Sequence, residues 1–195
     1  MAEESAEVTR AQREHAARLA SFTAELGAVA AALDPRAGWY AAFARRSPGE
    51  LAGWLAGEAL PPWDVADCLL RDLAAVRGRE AAARTARSLR ERYDAVVRAE
   101  DALPGAEAAL AGRAAKLQEQ QARLEERARR LAAKEAAARR SGREEEAGRL
   151  ALSRRWLRDD ASRVAARLAE LSARRDALRP AAAGAAARPE PWPPR

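Results

Sequence analysis

Large apolar residues recur along most of this chain at a spacing typical of helices that pack along one face. Two seven-residue series occupy the first 34 residues: Leu19, Leu26 and Leu33, and Phe22 and Val29. Alternating steps of three and four residues place both series on one side of a helix. Asp34-Pro35 follows, and proline disfavours a helical residue before it. The pattern predicts an N-terminal amphipathic helix over residues 1–34.

The second half of the chain carries a longer repeat of the same kind. One apolar series spans residues 82–138 and another spans residues 150–178, and the phase slips between them. At the slip, two arginines precede Ser141-Gly142, and three glutamates follow, beginning at Glu144. Cations ending one helix and anions starting the next suit both helix dipoles, and Ser141 and Glu144 have capping-box spacing. We therefore predict a chain reversal there.

An antiparallel hairpin that reverses at this point has a definite register. It places Ala114 opposite Leu171 and Leu117 opposite Leu168, so most layers pair one large with one small side chain. Glu135 and Arg154 make two poor layers, because each falls opposite a leucine.

Pro104-Gly105 interrupts the first of these two series without shifting its phase. Proline inside a helix costs about 3 kcal/mol and glycine about 1 kcal/mol. A break is therefore favoured, which gives an up-down-up three-helix bundle, and a kinked continuous helix is the alternative.

Residues 35–78 differ in kind, because they concentrate aromatic side chains: Trp39, Tyr40, Phe43, Trp54 and Trp63. Ser47-Pro48 begins a helix that Glu50 would complete as a capping box, and Pro61-Pro62 opens another. We predict a mini-domain of three short helices around an aromatic core. It is too small to be stable alone, so it should pack on the helix before it or after it.

Composition narrows the fold class further. Alanine supplies 55 of the 195 residues, and the chain has no Ile and no Asn, so strand formers are scarce. A single cysteine excludes a disulfide scaffold, and no apolar run is long enough to span a membrane. The acidic start MAEESAEV does not fit a signal peptide, so we expect a cytoplasmic protein. Residues 180–195 lack periodicity and are rich in Pro and Ala, which predicts a disordered tail.

Charge is divided unevenly along the chain. Residues 1–78 carry 8 Arg and 11 acidic residues, a net charge of −3, whereas residues 79–195 carry 27 basic and 18 acidic residues, a net charge of +9. A basic second half is compatible with a DNA-associated role. A solvated helical surface of mixed charge is the simpler interpretation.

The chain offers little chemistry for catalysis. His15 lies on the seam of the first helix without metal-ligand spacing, and Cys68 lies among apolar residues, where it favours core packing. No glycine-rich phosphate loop occurs. We therefore expect no enzyme, no catalytic residue, no cofactor, no metal and no small-molecule substrate. The candidate partner-binding residues are three tryptophans of the mini-domain and one of the Pro-rich tail: Trp39, Trp54, Trp63 and Trp192.

Two resemblances bear on function. Ser47 to Leu73 loosely resembles the latter part of a repressor-type helix-turn-helix, in which a capped recognition helix precedes a Pro-Trp helix start. The corresponding helix here carries Glu50 and Glu58 and none of the side chains that usually read base edges. Protein contact is therefore favoured over operator reading.

The second resemblance covers most of the chain. The block GWYAAFARRSPGELAGWLAGEALPPWDVADCLLRDLA (38–74) resembles a segment of uncharacterised actinobacterial coiled-coil proteins, and residues 103–131 and 143–171 are similar to that group as well. In that group a short N-terminal helix leads into a Trp-rich block and then a coiled coil. The resemblance implies this architecture and no catalytic residues.

Together these observations predict an all-α protein with a Trp-rich helical mini-domain followed by long antiparallel coiled-coil or bundle helices. The predicted segments are the N-terminal helix (1–34), the mini-domain (35–78), the bundle with a turn near 141–143 (79–179) and the tail (180–195). The predicted function is a non-enzymatic scaffold or adaptor for protein–protein interaction, with self-association as one mode. A DNA-associated transcriptional regulator is the alternative.

Overall fold

The computed structural model describes the backbone of residues 2–186 and the side chains of residues 5–178. Its helices are α1 (Ala2–Ala31), α2 (Gly38–Arg46), α3 (Pro48–Leu55), α4 (Trp63–Arg77), α5 (Arg79–Asp101), α6 (Ala106–Arg140) and α7 (Glu144–Ala186). No strand occurs over residues 2–186, so the predicted all-α fold class is confirmed. The chain divides into two compact units, Met1–Ala106 and Glu107–Arg195.

The first unit is built where α1, α4 and α5 pack together around a buried core. Phe22 of α1 meets Tyr93 of α5 edge to face, with ring centroids 5.8 Å apart. Leu69 of α4 and Leu89 of α5 are completely buried in the same cluster. Each such side chain stabilises the fold by roughly 1.5–3 kcal/mol on burial, so this cluster is the main source of the unit's stability.

Polar contacts fix how α1 and α5 meet. A guanidinium nitrogen of Arg92 lies 2.6 Å from a carboxylate oxygen of Glu25, and the hydroxyl of Ser88 donates a hydrogen bond to the same oxygen at 3.1 Å. Arg92 also donates to the hydroxyl of Ser21. Glu25 thus has two partners on α5, both of which restrict sliding of one helix along the other.

The assignment of α5 differs from the sequence interpretation, which placed residues 79–179 in one bundle. In the structure α5 packs against α1 and α4, and the boundary falls after Ala106 instead of after residue 78. The apolar face of α5 that was predicted to pack in the bundle packs instead on α1 and α4. Its residues Ala82, Leu89 and Val96 are buried in the core of the first unit, which the mini-domain cannot cover alone. α5 ends at Asp101, and Gly105 has a φ of 78°, so the chain breaks here and the kinked-helix alternative is wrong.

The second unit contains a hairpin of α6 and α7 that reverses at Gly142, whose φ is 70°. The amide of Arg143 donates to the carbonyl of Ala138 at 3.0 Å, and that of Gly142 donates to the carbonyl of Arg139 at 3.0 Å. These are the two bonds of a Schellman motif, which requires a left-handed residue at the glycine position. The side chain of Ser141 makes no capping hydrogen bond among the described bonds, so the predicted capping box with Glu144 is wrong.

Apolar layers hold the two long helices together in an antiparallel arrangement. Leu110 and Ala114 of α6 are buried with Leu171 of α7, and Leu117 and Leu168 pack against them partly buried. The cluster thus contains the residues that the predicted register sets opposite each other, Ala114 with Leu171 and Leu117 with Leu168. α7 also continues through Ala186, beyond the predicted end at residue 179, in keeping with the high helix propensity of alanine.

The two poor layers of the predicted hairpin meet each other. Glu135 is only 2% exposed, although it is charged. Arg154 from α7 places a guanidinium nitrogen 3.1 Å from one carboxylate oxygen, and Arg139, one turn along α6, places a nitrogen 2.7 Å from the other. The Arg154 contact lacks hydrogen-bond geometry, so its attraction is electrostatic.

Candidate partner-binding site

The Trp-rich mini-domain depends on how α4 holds the beginning of α2. The carboxylate of Asp72 accepts a hydrogen bond from the backbone amide of Tyr40 at 2.7 Å, which satisfies one free donor of the first turn. Gly38 directly precedes this contact with a φ of 73°, and a Cβ there would lie 2.6 Å from the Asp72 carboxylate. No local sequence pattern indicates this cap, because its two partners lie 32 residues apart.

α3 follows α2 after one residue and completes the mini-domain. Pro48 occupies the first turn of α3 as predicted, but the side chain of Ser47 makes no capping hydrogen bond, so the predicted box with Glu50 is wrong. Gly57, with a φ of 75°, ends the helix: its amide donates to the carbonyl of Trp54, and the amide of Glu58 donates to the carbonyl of Gly53. The end of α3 is therefore capped by backbone hydrogen bonds at a glycine with positive φ, like the end of α6 at Gly142.

A stack of three aromatic rings joins α2 to α3. The rings of Trp39 and Phe43 are nearly parallel, with centroids 4.7 Å apart and an interplanar angle of 11°. Phe43 stacks in turn on Trp54, with centroids 5.5 Å apart and an angle of 13°. Phe43 is buried between the two indoles, whereas Trp39 and Trp54 are half-buried. Trp39 packs against the main core, so the stack leads outward from the core to Trp54.

Trp63 belongs to a different environment. Its ring meets Tyr93 of α5 edge to face at 5.3 Å, and the guanidinium of Arg90 lies 4.7 Å from its centroid. These contacts tie α4 to α5, so Trp63 serves packing within the first unit. Phe43 thus joins Trp39 and Trp54 in one stack, whereas the ring contacts of Trp63 are with Tyr93 and Arg90. Trp192, the fourth predicted residue, lies outside the described residues.

Two exposed apolar residues of α7 are absent from the predicted site residues. Leu152 and Trp156 lie one helical turn apart, and their exposed fractions are 55% and 62%. Both residues lie off the heptad seam of α7. The signal that would have found them is a large apolar pair spaced by four residues at positions where the heptad calls for polar side chains.

Several basic residues of the hairpin are paired with acidic residues of their own helix. Arg130 and Arg129 both contact Glu126, at 2.7 and 2.9 Å, and Arg123 contacts Glu119 at 3.3 Å. Hydrogen bonds from Arg130 and Arg129 lower the pKa of Glu126 below its ordinary value. Each pair offsets the charge of its arginines locally, which weakens the field that a polyanion would experience there.

Other kinds of site receive no support over the part of the chain that the structure describes. Within that part, no three His, Cys, Asp or Glu side chains form a group able to hold a metal ion, and no helix has the length and apolar character needed to cross a membrane. Cys68 is buried in α4. Comparison of the chain with protein-family models, curated proteins and solved structures finds no match. The function must therefore be argued from the residues themselves.

Proposed function

We propose that this chain is a non-enzymatic scaffold or adaptor that binds another protein, with self-association as one mode of action. The observation that carries the proposal is the aromatic stack of α2 and α3. It leads from the core to Trp54, whose ring has one stacked neighbour and remains partly exposed.

Such an arrangement suits recognition better than it suits stability. A surface aromatic ring that is held in one orientation supplies a large contact area at little conformational cost, and tryptophan is enriched among residues that dominate binding energy. Phe43 and Trp39 fix the orientation of Trp54 before a partner arrives. Preorganisation of this kind reduces the entropy that binding must overcome.

The proposal is tested by quantitative affinity capture with the full chain and three variants. A protein partner of this site should be captured by the wild-type chain, lost with Trp54→Ala and recovered with Trp54→Tyr, which retains an aromatic ring. Val76→Ala is the control, because Val76 is an exposed apolar residue of the same unit that lies outside the stack. Circular dichroism verifies that each variant retains its helices. If Trp54→Ala captures the same proteins in the same amounts, the aromatic stack is not the binding site.

The DNA-associated regulator remains the second candidate because of the basic second half. The helix-local ion pairs of α6 and the carboxylate of Glu50 in α3 argue against it. Anisotropy titrations with labelled duplex DNA distinguish the two functions, since counterion release makes phosphate binding fall steeply with salt. Binding at about 50 mM salt with a steep slope would favour the regulator, and absence of binding there would dismiss it.

A further inference from the structure

One face of α7 exposes apolar side chains although the hairpin core lies elsewhere on the same helix. Leu157, Val164 and Leu171 are buried toward the core of the second unit. Leu152 and Trp156 are 55% and 62% exposed, and their positions relative to these residues place them away from the α6 side of the helix. Few large apolar side chains among the described residues are as exposed as these two, which lie within one turn of each other.

Charged residues continue this face in both directions. Steps of four, three, four, three and four residues align six positions along one side of α7, which we call the outer face: Glu145, Arg149, Leu152, Trp156, Asp159 and Arg163. Arg149 is paired with Glu145 at 2.8 Å, but both side chains are largely exposed, so this pair can be exchanged for another at little cost.

When the outer face is paired with a second, antiparallel copy of itself, apolar residues meet apolar residues and charges meet opposite charges. If a second copy of α7 is laid antiparallel across the turn between Leu152 and Trp156, each leucine faces the tryptophan of the other chain. In the same register Arg149 faces Asp159 on both sides of the centre. A two-fold axis therefore satisfies the apolar pair and the inner charges at once, as an isologous interface requires.

The outermost positions agree with this register. Glu145 faces Arg163 of the other copy, so all the charged positions of the outer face meet an opposite charge. A parallel arrangement in register would instead set every charge against its own kind, which is unfavourable. The pattern thus selects both the partner and its direction.

We propose that the outer face of α7 binds the outer face of a second copy of this chain in antiparallel orientation. This inference rests on the proposed function in one respect: it names a second copy of the chain as the partner in self-association. The surface involved is separate from the Trp54 site. The outer face spans about 27 Å at a rise of roughly 1.5 Å per residue. One helix pair of this length buries less than a standard interface of about 1,200–2,000 Å², so the expected dimer is weak, with a Kd on the order of micromolar.

Sedimentation velocity of the full chain from about 1 to 300 μM covers the range in which such a dimer forms. The wild-type chain should move from monomer to dimer with concentration. The double variant Leu152→Ala/Trp156→Ala should weaken association by about tenfold or more, whereas Val76→Ala, which changes an exposed apolar residue of the first unit, should leave it unchanged. A wild-type chain that stays monomeric, or a dimer insensitive to the double variant, overturns the proposal.

Charge exchange tests the orientation separately. In a dimer of Arg149→Glu, a glutamate faces Asp159 at both ends of the outer face. In a dimer of Asp159→Arg, an arginine faces Arg149 at both ends. Each variant should therefore dimerise more weakly than the wild type. An equimolar mixture of the two variants should associate again, because each mixed dimer contains only opposite pairs. If the mixture remains as monomeric as its components, antiparallel pairing is wrong. Neither outcome affects capture by Trp54, so the two proposals fail independently.

Discussion

Replacing Glu135 and Arg154 one at a time should destabilise the hairpin, whereas replacing both should not. The Glu135 side chain is 3% exposed, so Arg154→Leu leaves a buried carboxylate with only Arg139, whose own side chain is 59% exposed. Breaking a buried pair costs about 3–5 kcal/mol. Because Arg139 remains, we expect a loss of about 2 kcal/mol.

The reverse replacement should cost less. Glu135→Leu leaves Arg154, whose side chain is 28% exposed and can extend toward water, so a loss of about 1 kcal/mol is expected. The double variant Glu135→Leu/Arg154→Leu converts two mixed layers into leucine layers. Replacement of a buried ion pair by apolar residues is neutral or stabilising by about 1–4 kcal/mol. The double variant should therefore equal or exceed the wild-type stability.

Hydrogen exchange measured by mass spectrometry is the appropriate assay, because it reports the hairpin amides separately from those of the first unit. Protection of the α6 and α7 peptides should fall in the single variants and recover in the double variant. Arg123→Leu is the control, since its exposed partner Glu119 lies on the same helix and the change should stay within about 0.5 kcal/mol. If the double variant loses as much protection as both single variants together, the two residues are not coupled, and the reasoning is refuted.

Three further predictions concern single positions. Gly38→Ala should destabilise the first unit by about 2 kcal/mol or more, from a positive φ and the collision with a carboxylate, whereas Gly49→Ala, which has open space, should be neutral or slightly stabilising in thermal melts. Gly142→Ala should cost about 1 kcal/mol at the left-handed turn, and Gly148→Ala within α7 should gain up to about 1 kcal/mol; a shift in the same direction for both would contradict the role of the turn. Because the pKa of Glu126 is lowered in the folded protein, its carboxylate adds to the stability of the fold at pH values above its pKa in the unfolded chain. This contribution is lost as the pH falls through the pKa in the folded protein. Glu126→Gln should therefore lower the Tm near about pH 7 and make no difference near about pH 2; an equal loss at both would rule out the linkage.

The long-range order of the apolar residues was sufficient to predict the helices and the antiparallel hairpin. Ala114 and Leu171 pack in one cluster because a seven-residue repeat on each helix leaves little freedom in how the two seams meet. The turn at Gly142 was predictable from local sequence, since few residues other than glycine adopt its left-handed conformation.

Contacts between distant segments were not predictable in this way. The seam of α5 is equally suited to cover α1 or another long helix, and only the exposed core of α1 and α4 decides the matter. Asp72 gave no sign of its contact with Tyr40, because a lone aspartate on a helix usually faces water. The candidate site was half predictable, since tryptophan density marked Trp39 and Trp54 but could not separate them from Trp63.

The closing of the first unit by α5 has a consequence for synthesis on the ribosome. Arg92 and its partner Ser21 are separated by 71 residues, so α1 emerges long before the helix that covers it. At about 5–20 residues per second, this delay lasts roughly 4–14 seconds. During that interval Phe22 and Leu26 lack their final neighbours and are open to chaperones or to other nascent chains. The hairpin, whose halves are consecutive, has no such waiting period and can zip from Gly142 outward as α7 is made.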